Sequence, residues 1–208
     1  IKEYKKRVDA ALHNTFLRQA MDRFAVAYRA SRKNAFAGLD DQGLIRETAD
    51  IKADAVKNNN ALISAFTQKA KALGIQVHLA KTAEHANRII DEIARETGSQ
   101  NIVKSKSMTA EEIHLNRYLE ARGRSVVETD LGEWIVQLRK EGPSHMVMPA
   151  IHLSRFQVAD LFSKVTGRQQ DSEIEKLVKV ARKELREKFV RADMGITGAN
   201  YVIAETGS

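Results

Sequence analysis

The 208-residue sequence contains no cysteine. That excludes a disulfide scaffold, a thiolate zinc site, a cysteine nucleophile and any cysteine-held iron–sulfur cluster within this stretch. Proline is also scarce, at 2 residues, and glycine stands at 11, so collagen-like and low-complexity readings fall away. No uninterrupted apolar run approaches the roughly 18 residues needed to span a bilayer. No secretory signal is visible, so the expected compartment is the cytoplasm, with no integral membrane segment. The sequence starts at Ile1 without methionine and stops at Ser208 inside a Gly- and Thr-bearing motif. It is therefore expected to be part of a longer protein.

Apolar residues make up 43% and charged residues 29%, enough for one sizeable core and against disorder. The formal charge of +7 is unevenly spread. Residues 1–35 hold nine basic groups against three acidic ones, an excess of six. Such a segment can contact nucleic acid, an anionic surface or an acidic partner, although a charge run is more often a solvated helix face. It carries no nucleic-acid-binding signature, and its aromatics fall mostly on an apolar stripe, so no nucleic-acid partner is expected.

The first third of the sequence reads as helical. Val8, Leu12, Phe16, Ala20, Phe24 and Tyr28 form one stripe at helical spacing, expected to pack on protein. Leu44, Thr48, Ile51 and Ala55 form a second stripe, and Leu62, Phe66, Ala70 and Leu73 a third, ended by Gly74. From residue 75 strand-like runs alternate with capped helices. Strands are expected at 75–79, 101–104, 125–129, 145–148, 194–197 and 201–204. The intervening helices carry caps at Thr82, Asp130 and Ser154, and capping boxes at Thr109/Glu112 and Ser172/Glu175. The first four strand starts lie 20–26 residues apart, which suits strand, crossover helix and parallel strand. The fold class is α/β: a doubly wound parallel sheet at 75–208, with a helical extension at 1–74 packed on its core.

Ligands of open parallel sheets gather beyond the carboxyl ends of the strands. The informative segments are therefore 104–109, 128–133, 149–152 and 193–200. They are expected to meet in one cleft. Lys104, Lys106, Ser107 and Thr109 offer positive charge, hydroxyls and a helix start, a combination that suits an anion; ordinary N-capping also accounts for the hydroxyls. Glu128, Asp130 and Glu133 crowd carboxylates, so Asp130 and Glu133 are candidate acid/base groups, with helix capping by Asp130 as the plainer alternative. His145 and His152 flank the expected fourth strand, and His152 is the nearest candidate for proton transfer. Thr197, Gly198 and Asn200 complete the candidate ligand set on a loop that a tight turn also explains. Neither the P-loop spacing nor G-x-G-x-x-G is present, H-E-x-x-H is absent, and no metal site is expected. Trp134 and the methionines are read as core.

At these four loops the sequence resembles a known family. Lys104-Ser105-Lys106-Ser107-Met108-Thr109-Ala110-Glu111-Glu112, Glu128-Thr129-Asp130-Leu131-Gly132-Glu133, Pro149-Ala150-Ile151-His152 and the stretch from Ala192 through Gly207-Ser208 are similar to the lactate-utilisation (LUD) domain. Within it they look most like the iron–sulfur subunits of bacterial L-lactate oxidation to pyruvate. The resemblance covers essentially the whole sequence, and its four motifs stand in the family's order. It implies a three-layer α/β/α fold like that of ribose-5-phosphate isomerase and CoA transferases. It also implies a continuation into a cysteine-rich, ferredoxin-like region with [4Fe–4S] clusters, and partners among the other subunits of the lactate-utilisation complex. The departure is the missing cysteine: no cofactor is expected in this stretch, and alone it is expected to be inactive. The resemblance carries over no catalytic residue. A small carboxylate, or a role as a scaffold without chemistry of its own, are both compatible with it.

Overall fold

The computed structural model describes all 208 residues. They divide into two compact units, one of Ile1–Asp22 with Ala80–Gly198, the other of Arg23–Leu79 with Ala199–Ser208. The boundary falls inside a helix.

Four helices open the chain: α1 Lys2–His13, α2 Thr15–Ala35, α3 Asp41–Lys57 and α4 Asn59–Ala72. The expected long first helix is broken at Asn14, whose backbone turns extended and whose side chain accepts from Leu17 N–H. Asp40 caps α3 through Gly43 N–H. Contrary to the expectation of a buried stripe, α1, α2 and α3 bury no residue. Phe16 is 37% exposed and Leu12 58%. Helical periodicity is met without a face to bury it.

The remaining elements are α5 Ala83–Glu96, β1 Asn101–Lys104, α6 Met108–Glu112, α7 Leu115–Glu120, β2 Ser125–Glu128, α8 Leu131–Arg139, α9 Arg155–Thr166, α10 Ile174–Val190 and β3 Met194–Ile196. The sheet is parallel, in the order β2-β1-β3. The class is α/β, as the sequence implied. Side chains alternate across the sheet, so its two faces receive different helices. Ile102, Val126, Met194 and Ile196 meet Ala94, Leu115 and Leu119 of α5 and α7. Val127 lies on the opposite face, against the core built by Trp134, Phe162, Leu177, Ala181 and Leu185 of α8, α9 and α10.

Three expected strands do not form, for local reasons. Residues 75–79 run without a ladder partner, with Ile75 and Leu79 exposed. At 145–148 the ring Nδ1 of His145 accepts from both Val147 and Met148 N–H, taking donors a ladder would need. At 201–204, Ile203 N–H donates to Ser208 O while its carbonyl accepts from Gly207 N–H, closing a turn. The helix expected across 109–119 is split by His114, which sits in the left-handed region at φ 53°. Ser107, rather than Thr109, caps α6. The Ser172/Glu175 box is replaced by Asp171, which accepts from Glu173 N–H. Thr82, Asp130 and Ser154 cap as read, Ser154 in a full capping box with Gln157.

Candidate functional site

Parallel pairing puts Lys104 and Glu128 side by side at the carboxyl ends of β1 and β2. Both face the α5–α7 side, two positions on from Ile102 and Val126. Lys104 Nζ lies 2.9 Å from Glu128 Oε1, and the two side chains are only 1% and 3% exposed. Asn116 of α7 donates to the same Oε1 at 2.5 Å. A buried charge is tolerated best when paired and hydrogen-bonded. Here the ion pair is made, while Lys104 Nζ, Glu128 Oε2 and Asn116 Oδ1 are buried without a hydrogen-bond partner. Gln137 of α8 clamps the outer edge of β2: its amide accepts from Glu128 N–H at 3.0 Å and donates to Val126 O at 2.8 Å. Thr129 N–H and Oγ1 both donate to Lys104 O, tying the two strand ends together.

A second pair stands one turn further out. Lys106 Nζ is 2.5 Å from Glu133 Oε1 and 3.4 Å from Val147 O. Asp130 caps α8 through Gly132 and Glu133 N–H. Its hydrogen bond with Glu133, joined by these backbone donors, holds the Asp130 carboxyl below the usual range. Burial, and then the same hydrogen bond to Asp130, push Glu133 upward. Two neighbouring carboxylates with opposed shifts form a coupled pair in which Glu133 is the more readily protonated member.

The loops converge largely as the topology required. Ser105 N–H donates to Ile196 O at 2.9 Å. A Cβ on Gly198 would meet Ser107 Cβ and Oγ at 2.9 Å, so the loop after β3 lies directly against the start of α6. A Cβ on Gly132 would stand 2.8 Å from Pro149 Cγ. Strands 104, 128 and 196 thus end at one edge, joined by the 147–149 segment. A cavity of about 770 Å³ opens beside it, with Asn116, Glu128, Glu133 and Gln137 among its walls.

Not every candidate residue joins this edge. His152 is held elsewhere: its Nδ1 is 2.5 Å from Ser144 Oγ and its Nε2 is 3.0 Å from Glu141 Oε2. Arg139, with a smaller contribution from the His152 bond, holds Glu141 ionised, its pKa down to about 2. Thr109 and Thr197 are exposed. Asn200 belongs to the second unit. Asp193 sits at the opposite end of the sheet, where Oδ2 accepts from Gln100 and Asn101 N–H. The sequence reading missed Asn116 and Gln137. Each is a polar residue at a core-facing phase of an apolar helix, which is the signal that could have found them.

Residues 63–208, which include this α/β sheet and its carboxyl edge, match the LUD domain, and the chain belongs to this family. Its relatives sharpen the placement. It is 37% identical over 206 residues to Lactate utilization protein B of Oceanobacillus iheyensis, covering 99% of this chain and 43% of that protein. To Lactate utilization protein B of Bacillus licheniformis it is 39% identical over 208 residues, covering 99% and 44%. To the Bacillus thuringiensis protein of the same name it is 34% identical, covering 100% and 44%. The chain therefore spans less than half the length of these relatives. No solved structure matches it. No helix is long and apolar enough to cross a membrane.

Proposed function

We propose that this chain is the LUD domain of an iron–sulfur subunit in bacterial L-lactate oxidation, and that its carboxyl-edge cluster takes a small hydroxy- or keto-carboxylate. The observation that carries the reading is the 34–39% identity, along the whole chain, to proteins named Lactate utilization protein B. A [4Fe–4S] cluster needs thiolates, and the chain has none, so its residues do not fit that group. Any cluster belongs to other parts of the protein or to partner subunits.

The cluster's geometry suits an acidic ligand at one position. Lys104 is committed to Glu128 and buried. Lys106 is 30% exposed and its partners, Glu133 and Val147 O, leave one of its three donors for a ligand carboxylate. The Asp130–Glu133 pair can hold or release a proton beside that point. Binding of L-lactate and pyruvate to the isolated chain by calorimetry tests this. Lys106→Met should weaken binding about tenfold, the usual loss for a charge-assisted hydrogen bond. Equal affinity in wild type and variant would remove the site. Lactate-dependent reduction of clusters in the anaerobically assembled full-length complex tests the wider role.

A second reading is a scaffold that docks partner subunits. It is favoured by one observation, the three amphipathic helices α1, α2 and α3 that bury nothing.

A further inference from the structure

A second cavity, of about 560 Å³, lies along α10 and is lined almost entirely by carbon. Its floor is formed by Ala181 and Leu185, which belong to the buried core around Trp134. Val178 and Phe189 wall it and remain exposed. α10 therefore carries an apolar stripe wider than the core covers: Leu177, Ala181 and Leu185 are buried, while the flank beside them is open.

At the rim stand Arg182 and Arg186, four residues apart and so on one side of the helix. Both are exposed. Neither guanidinium has an ion-pair or hydrogen-bond partner within the chain. Elsewhere in this unit Arg124, Arg139 and Lys104 each have a carboxylate at 2.6–2.9 Å. Two unpaired planar cations over an apolar trough ask for one ligand shape, an anionic head on an apolar body. Guanidinium suits a carboxylate in particular, because its parallel donors match the two oxygens. The volume is in the range of small-molecule sites, roughly 300–1,000 Å³.

We propose that this groove binds an aliphatic carboxylate of medium chain length, with its tail along Val178, Leu185 and Phe189 and its head on Arg182 and Arg186. The groove reaches Thr129 and Leu131 at the start of α8, but Lys106, Asp130 and Glu133 do not line it, and lactate, which has no tail to bury, is not its ligand.

Trp134 is the only tryptophan, and it lies in the cluster that floors the groove, so its emission reads occupancy. Decanoate titrated into the protein should give a saturable change. 1-Decanol should bind more weakly, and decyltrimethylammonium should not bind. Arg182→Gln/Arg186→Gln, on exposed positions that leave the core intact, should weaken decanoate roughly tenfold or more while leaving decanol unchanged. Val178→Glu should abolish both. No saturable signal in wild type, or equal affinity for the acid, the alcohol and the cation, overturns the proposal. A wild-type dimer on gel filtration that Val178→Glu converts to monomer also overturns it, because a second copy then fills the groove. The failure of lactate to bind at the other edge would leave these outcomes unaffected.

Discussion

The α/β part and the N-terminal helices share one sequence signal and differ in its consequence. α5 and α10 show apolar residues at helical spacing, and α5 buries Ala94 while α10 buries Leu177, Ala181 and Leu185. α1, α2 and α3 show the same spacing and bury none. Periodicity therefore specifies the helix and the face, but burial also requires a second surface. In the α/β part that surface is the sheet, which offers an apolar face on each side.

The comparison is most severely tested by equal truncations on both sides of it. Phe162 is fully buried, with its ring 5.2 Å from that of Trp134. Phe162→Ala should cost about 3–5 kcal/mol in urea denaturation, from lost transfer energy and the cavity left behind. Phe16→Ala should cost less than about 1 kcal/mol, as surface changes do. Comparable losses at the two sites would mean that the N-terminal stripe is packed, and the contrast would be gone.

A polar counterpart follows at the sheet's carboxyl edge. Lys104→Met leaves Glu128 buried without its cation, and breaking one half of such a pair costs about 3–5 kcal/mol. Lys104→Met combined with Glu128→Gln should recover most of that loss, because no charge is then stranded. A double variant as unstable as the single would show that shape, rather than charge, is what the pair contributes.

Much of this was legible in the sequence. β1 occupies the predicted residues 101–104, and the caps at Thr82, Asp130 and Ser154 form as read, because each depends on neighbours a few residues away. The convergence of 104–107, 130–133 and 196–198 followed from crossover topology. Three strands were over-read. At 145–148 and 201–204 side-chain and turn hydrogen bonds use up the backbone groups, a competition invisible to an apolar count. The Lys104–Glu128 and Lys106–Glu133 pairings were also hidden. Lysines read as an anion site turned out to face carboxylates, because register places residue 104 beside 128 across 24 residues of chain. Charge at a loop is local information, whereas charge balance at a site is set by the fold.

A smaller effect is expected at the β2 edge. Gln137→Ala leaves Glu128 N–H and Val126 O without their side-chain partner, at a cost of about 1–3 kcal/mol. Hydrogen exchange at Glu128 should quicken while the Ile102 and Val103 amides, inside the sheet, keep their protection. Uniform quickening across all three strands would instead make Gln137 part of the global core.

The least of the effects lies at the opposite end of the sheet and depends on pH. Asp193 accepts from Asn101 N–H at 2.8 Å and Gln100 N–H at 3.0 Å, and its own N–H donates to Asn101 O, so it stitches β3 to the entry of β1. The Asn101 N–H, followed by that of Gln100, lowers the carboxyl below its ordinary value of 3.8. A carboxyl whose folded pKa is depressed stabilises the protein above its unfolded pKa, and the contribution disappears as the pH falls through the lower folded value. Wild type should therefore exceed Asp193→Asn in thermal stability near neutrality. The gap should stay constant down to about pH 4 and close below it as the carboxyl is protonated. The variant keeps one acceptor oxygen and loses only the charge, so the closing gap isolates the charge-assisted part of the stitch. A gap that widened in acid would mean that Asp193 is protonated more readily in the fold than in the open chain, contrary to its two backbone donors.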